Sequence, residues 1–224
     1  MAEESTREHL ITVAERLFAE RGFDSVSLRE INKAAKQKNT SATHYHFGTK
    51  ERLIEAILDR RMPVADKRRL EMLHELKAAE RKNDLYAIVR AQVIPLAEHL
   101  NTTEGWRNYI IVLSRLHNDR RMRVSQLISG KRGEGNRRVW ELIKSTMVGM
   151  PSEVIEMRRE LLGSLFLHGM ADHARGEGVR AEISAYVDNL VDSMVGLLTA
   201  PVTTGAGPAP RAEQVEQGEG AHVS

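Results

Sequence analysis

Cysteine is absent from this chain of 224 residues, so disulfides, zinc-thiolate sites and cysteine nucleophiles are excluded outright. Aromatic residues are scarce at 4%, and prolines number six. Runs of alternating β-branched residues are missing, while segments rich in Ala, Leu, Glu, Arg and Met recur, which predicts an all-α protein. No apolar stretch approaches the roughly 18 residues that a membrane span requires. The start, Met-Ala-Glu-Glu-Ser, is acidic and polar, unlike the basic and apolar opening of a secretory signal. The expectation is a soluble cytoplasmic protein without a membrane partner. A Gly-rich phosphate loop, a paired-carboxylate motif and a nucleophile elbow are also missing, so no catalytic residue and no cofactor is expected. Neither sign of charge dominates, the formal net charge being +2, and nothing global advertises nucleic acid as a partner.

The most telling segment present is Asn39-Thr40-Ser41-Ala42-Thr43-His44-Tyr45-His46-Phe47-Gly48-Thr49-Lys50, which crowds small polar, amide, imidazole and phenol groups just ahead of a helix start. Asn39, Thr40, Ser41 and Thr43 are able to hydrogen-bond phosphates or base edges, while Tyr45 and Phe47 supply the apolar surface that docks the segment on a small domain. Upstream lies a scaffold of short helices. Ser5 with Glu8 predicts a capping box, Leu10, Val13, Ala14, Leu17 and Phe18 recur on one face, and Gly22 reads as the stop. A second box, Ser27 with Glu30, opens a helix expected to end near Ala35. Thr40 or Ser41 caps a third of barely two turns, Gly48 breaks it, and Thr49 caps a fourth. Two helices joined by a tight turn and buttressed by another make a helix-turn-helix, the later helix entering the major groove.

With Phe18-Ala19-Glu20-Arg21-Gly22-Phe23 at a helix end and Tyr45-His46-Phe47-Gly48-x-Lys50 after the turn, the stretch from about Glu8 to Arg60 resembles the N-terminal domain of the TetR family of transcriptional regulators. The family's usual Gly-Val-Ser type turn is replaced by Lys36-Gln37-Lys38-Asn39-Thr40-Ser41-Ala42, one residue longer, similar to a subgroup with Asn-x-Ser-Ala ahead of Tyr-His-Phe-Gly. The resemblance implies DNA contacts by Arg29, Thr40, Ser41, Thr43, His44, Tyr45, His46 and Lys50, beside Asn39. Lys50 falls in the first turn of a helix, where the macrodipole attracts anions, so an ammonium there suits a phosphate clamp; the plainer reading is a solvated lysine. Arg29 suits a guanine edge or a phosphate, or else a solvated face beside Lys33. Between Arg29 and Lys50 the cations Arg29, Lys33, Lys36, Lys38 and Lys50 face Glu30 alone, a local basic patch that a surface loop would also produce. His44 and His46 do not make a metal site, since two positions apart on a helix they point to different sides and no further ligand joins them.

The expected division is residues 1–50 for DNA binding, 51–200 for effector binding and dimerisation, and 201–224, rich in Gly, Pro, Ala, Glu, Gln and Thr, as a disordered tail. Pro63 is expected to kink or restart the fourth helix and Pro95 to bend or interrupt the next, over about 84–100; further helices are expected near 104–116, 135–148, 152–175 and 181–199. Trp106, Tyr109, Arg115, His117 and Trp140 are scarce polar-aromatic or charged groups in aliphatic helices, candidates for lining a pocket for a small, lipophilic effector, or else ordinary core and rim residues. The last two helices carry apolar arcs wider than one face needs, as when a helix packs on its own domain and on a partner. By resemblance these pair with their twins, with Leu162, Phe166, Tyr186, Leu190 and Met194 at a homodimer interface. The implied function is a ligand-responsive repressor on an inverted-repeat operator of double-stranded DNA. The competing readings are an activator, an effector-free repressor, or a helical enzyme or interaction module with a vestigial DNA motif.

Overall fold

The computed structural model describes residues 2–37, 39, 41–119, 133–177 and 182–202. Within them every regular element is a helix: α1 (Ala2–Arg21), α2 (Leu28–Ala34), α3 (Ala42–Phe47), α4 (Lys50–Ala78), α5 (Leu85–Ala97), α6 (Glu104–Asn118), α7 (Glu134–Thr146), α8 (Ser152–Arg175) and α9 (Ile183–Thr199). Thr40 and the chain beyond residue 202 lie outside the described residues, and so do the expectations of a Thr40 cap and of a disordered tail.

Local chemistry sets most boundaries. Ser27 and Glu30 form the reciprocal capping box on α2, each side chain satisfying a backbone N–H that the helix leaves orphaned. Thr49 caps α4 by accepting from the Arg52 N–H, and Asp84 and Thr103 do the same for α5 and α6. Gly22 ends α1 with a φ of +81°, a left-handed turn that glycine enters without a Cβ penalty. One start was misplaced: α1 begins at Ala2, so Ser5 and Glu8 lie inside the helix and form no cap. Helix periodicity simply runs on through the polar residues upstream. Pro63 falls inside a continuous α4 rather than restarting it, and Pro95 sits in the last turn of α5, where it deprives the Ala91 carbonyl of its usual donor only two residues before the helix ends.

In the N-terminal half α1, α2 and α3 pack around Leu10, Ala14, Phe18, Ile31 and Phe47, with the Phe18 and Phe23 rings 5.2 Å apart. The first turns of α4 close this core with Leu53, Ile54 and Ile57. The helix then runs on into a second half, where α5 lies against α4, α7 and α9, and α6 is held between α1 and α8. One continuous apolar cluster extends through both halves.

Charged groups stitch the halves together. Glu15 of α1, only 1% exposed, accepts from Arg60 and Arg61 of α4. Arg115, in the last turn of α6, donates to the Ala19 and Glu20 carbonyls at the end of α1 at 3.0 and 3.4 Å. Asp66 of α4 is also buried: it accepts from Arg69 at 2.9 Å and from the Gly135 and Asn136 N–H groups at 2.8 and 3.2 Å, capping α7 from a distant helix. A Cβ at Gly135 would lie 2.7 Å from that carboxylate, so the approach requires glycine. Burial lowers the pKa of Arg69 while the Asp66 carboxylate beside it acts in the opposite direction.

Candidate DNA-binding surface

The α2–α3 turn is built by polar groups facing inward. Asn32 of α2 is buried, and its Oδ1 accepts from both the Thr43 N–H at 2.9 Å and the Thr43 hydroxyl at 2.6 Å, fastening the start of α3 to α2. Lys36 turns the chain out of α2 with a φ of +52°, a conformation costly for a residue with a Cβ. The Asn39 side chain folds back to accept from the Ser41 N–H at 2.9 Å, an Asx-type turn leading into α3. His9 of α1 meets the Ala35 carbonyl at 3.2 Å and braces the end of α2 from beneath.

This scaffold leaves one face of α3 open. Ser41 is exposed at its N-cap, where its side chain makes no capping bond, and His44 is exposed. Tyr45 projects most, at 72% exposure, and its ring meets that of His46 edge-on at 5.3 Å. His46 is half-buried beside Phe47, which is core. Arg29, Lys33 and Lys36 of α2 and its turn are exposed on the approach to this face. An exposed phenol, imidazole and hydroxyl on a short helix flanked by cations offer donors and acceptors for base edges together with neutralisation for phosphates.

Two candidates stand elsewhere. Thr43 is fully buried and both its donors are used on Asn32, so it positions α3 and presents nothing outward. The Lys50 ammonium donates to the Phe23 carbonyl at 2.7 Å, fastening the start of α4 to the α1–α2 turn. Asn32 was missed as a site residue. Its signal was a polar side chain at an inward position between Ile31 and Ala35.

The second half gathers fewer of its candidates. Trp106 and Tyr109 are neighbours, buried, with ring centroids 5.7 Å apart. Trp106 stacks flat on His99 at 3.9 Å, and Arg61 lies over its ring at 5.0 Å. Burial pushes the Tyr109 phenol well above the usual tyrosine range. Arg115 goes instead to the end of α1, His117 to the Ser164 hydroxyl of α8 at 3.0 Å, and Trp140 to Arg159. Leu162, Phe166, Leu190 and Met194 are buried within a single protomer, and Tyr186 is half-buried against His173. These carry the largest apolar surface on α8 and α9, which the two helices use on each other and on α5 and α6. Among the described residues of α8 and α9 the large apolar side chains more than half exposed are Met157 and Leu161, while Leu165, Leu167, Ile183, Val195 and Leu197 are half-buried. Among the described residues no group of three or more His, Asp or Glu side chains is arranged to hold a metal ion, and no helix is long and apolar enough to cross a membrane.

Residues 10–57, spanning this head, match the family model for bacterial regulatory proteins of the tetR family, and residues 90–200 match that of the tetracyclin repressor-like C-terminal domain. The chain belongs to the TetR family. No curated protein matches it. As a TetR-family protein it is a DNA-binding transcriptional regulator, with α2 and α3 as its helix-turn-helix.

Proposed function

We propose that the protein is a cytoplasmic, homodimeric repressor, without catalytic activity, that leaves a near-palindromic operator when a small lipophilic effector binds. Residues 1–50 read DNA and residues 51–200 bind the effector and dimerise. The observation that carries this reading is the exposed, polar face of α3 held by a buried polar bond to α2. Ser41, His44 and Tyr45 face the bases, while Arg29 and its neighbouring cations meet the phosphates. Two copies pair through the outer stripe of α8 and α9, where Met157 and Leu161 stand exposed, and so present two α3 helices about one DNA turn apart.

Release follows from linkage. Helix α4 belongs to both halves, and Glu15 and Arg115 tie α1 to α4 and α6. An effector lodged among α5, α6 and α7, near Trp106 and Tyr109, shifts these ties and with them the spacing of the two heads. DNA and effector then favour different separations and each weakens the other's binding. Fluorescence anisotropy with duplexes tiling the DNA upstream of the protein's own gene tests this reading. Tight binding of one inverted repeat that resists scrambled competitor is the expected result; equal, wholly salt-dependent binding of all duplexes would refute it.

A further inference from the structure

An open groove of about 560 Å³ runs along one side of the recognition helix. Its walls are Arg7 from α1, the end of α3 from His44 to Gly48, and Arg52, Glu55 and Asp59 from α4. Tyr45 stands on its rim, so whatever occupies the groove lies beside whatever Tyr45 touches. Arg7 is exposed, its guanidinium carbon 5.4 Å from the Phe47 ring centroid, and its ion pair with the neighbouring Glu8 at 3.4 Å is solvated and easily exchanged. Arg52 is exposed as well, and among the described residues no carboxylate lies within ion-pair distance of it. Along α4 the order Arg52, Glu55, Asp59 puts the cation at the end nearer α3 and the carboxylates one and two turns farther on. Asp59 already has a partner within the chain. Lys50, the cation nearest in sequence, does not line the groove, its ammonium being held by the Phe23 carbonyl.

We propose that this groove seats the sugar-phosphate backbone flanking the bases read by α3, with Arg7 and Arg52 each holding one phosphate. The inference rests on the DNA-binding reading of α3 and extends it to two arginines outside the helix-turn-helix. A guanidinium presents two parallel N–H groups to a phosphate, and the phenyl face beneath Arg7 steadies that fork. Neither contact carries sequence information; both set where the helix sits on the duplex.

The test is the salt dependence of binding of the full chain to a fluorescein-labelled duplex over a series of KCl concentrations. Each phosphate neutralised adds about 0.9 to the slope of log affinity against log salt. With one such phosphate for each protomer of the dimer, Arg52→Ala and Arg7→Ala should each make the slope shallower by about 1.8 and the double variant by about 3.6, with Arg52→Lys restoring most of it. Arg68→Ala, well along α4, is the control for a general change in charge and should leave the slope alone. Thermal melts of all variants confirm that each is folded. Slopes unchanged in Arg7→Ala and Arg52→Ala, with wild-type binding intact, overturn the phosphate seat alone. Salt-independent or absent binding by the wild type overturns the DNA-binding reading together with it.

Discussion

The two halves of this protein spend their polar groups in opposite ways. In the N-terminal head a few buried bonds, Asn32 to Thr43 above all, hold a short helix on which His44 and Tyr45 stay exposed. In the C-terminal half the polar groups that look most functional are consumed in fastening helices: Asp66 on Arg69 and α7, Arg115 on the end of α1, His117 on Ser164. A surface that reads DNA must keep its donors and acceptors unspent. A body that transmits strain needs its parts tied. The contrast shows why most residues picked out by type stay exposed on α3 and are spent on packing on α6.

The comparison breaks most severely at Asp66. Asp66→Ala leaves Arg69 buried without its carboxylate and uncaps α7, and should cost about 3–5 kcal/mol in chemical denaturation, with the damage centred on the second half. A loss below about 1 kcal/mol would mean that the pair is not a structural tie. In the head, Thr43→Val removes a hydroxyl donor from Asn32 and should cost about 1–3 kcal/mol of stability. Its effect on DNA affinity should follow that loss of fold; weaker binding by a fully stable variant would return Thr43 to the DNA contacts. Tyr45→Ala is the complement. At 72% exposure it should change stability by less than about 0.5 kcal/mol, while weakening binding to the preferred duplex by about 1–3 kcal/mol if it reads a base edge.

A pH titration sharpens the contrast further. Burial, with His168 nearby, holds His117 below the usual histidine range, and burial does the same for His99. Such a histidine stays neutral in the fold and takes up a proton on unfolding. Stability is therefore complete above the unfolded value near 6.5 and declines as the pH falls through it toward the folded value. Glu30, Glu51 and Asp84 are lowered by their capping hydrogen bonds, so their contributions are lost only at more acidic pH, below ordinary carboxylate values of 4.5, 4.5 and 3.8. Melting temperatures recorded between about pH 8 and pH 5 should fall below about pH 6.5, and His117→Asn should flatten that fall. An unchanged profile in the variant would place the titrating group elsewhere. The smallest effect is expected at Lys36, whose φ of +52° favours glycine: Lys36→Gly should stabilise the head by about 0.5–1 kcal/mol. Destabilisation would mean that the lysine side chain repays its strain with a contact.

Much of the head was readable from residues alone because its determinants are local. Caps such as Ser27 with Glu30 and Thr49, and stops such as Gly22 and Gly48, act within four residues of where they sit. The α2–α3 clasp was not readable, since Asn32 and Thr43 are eleven positions apart and each looks like an ordinary polar residue. The bonds that tie the second half to the first, Glu15 to Arg60 and Arg115 to Ala19 among them, span 45 and 96 positions and leave no periodic trace. Apolar weight on α8 and α9 likewise does not separate what is buried within the protomer from what would meet a partner. Among the described residues of these two helices, the large apolar side chains that stand more than half exposed are Met157 and Leu161, both on α8.

The central claim is that two copies of α3 read one inverted repeat. Selection of bound duplexes from a random-sequence pool by the full-length protein, followed by sequencing, tests it without knowledge of the operator. The account predicts enrichment of a single motif with two-fold symmetry, its half-sites about one helical turn apart, and loss of that motif with Tyr45→Ala. A pool that stays unenriched, or a motif with one half-site only, would contradict it.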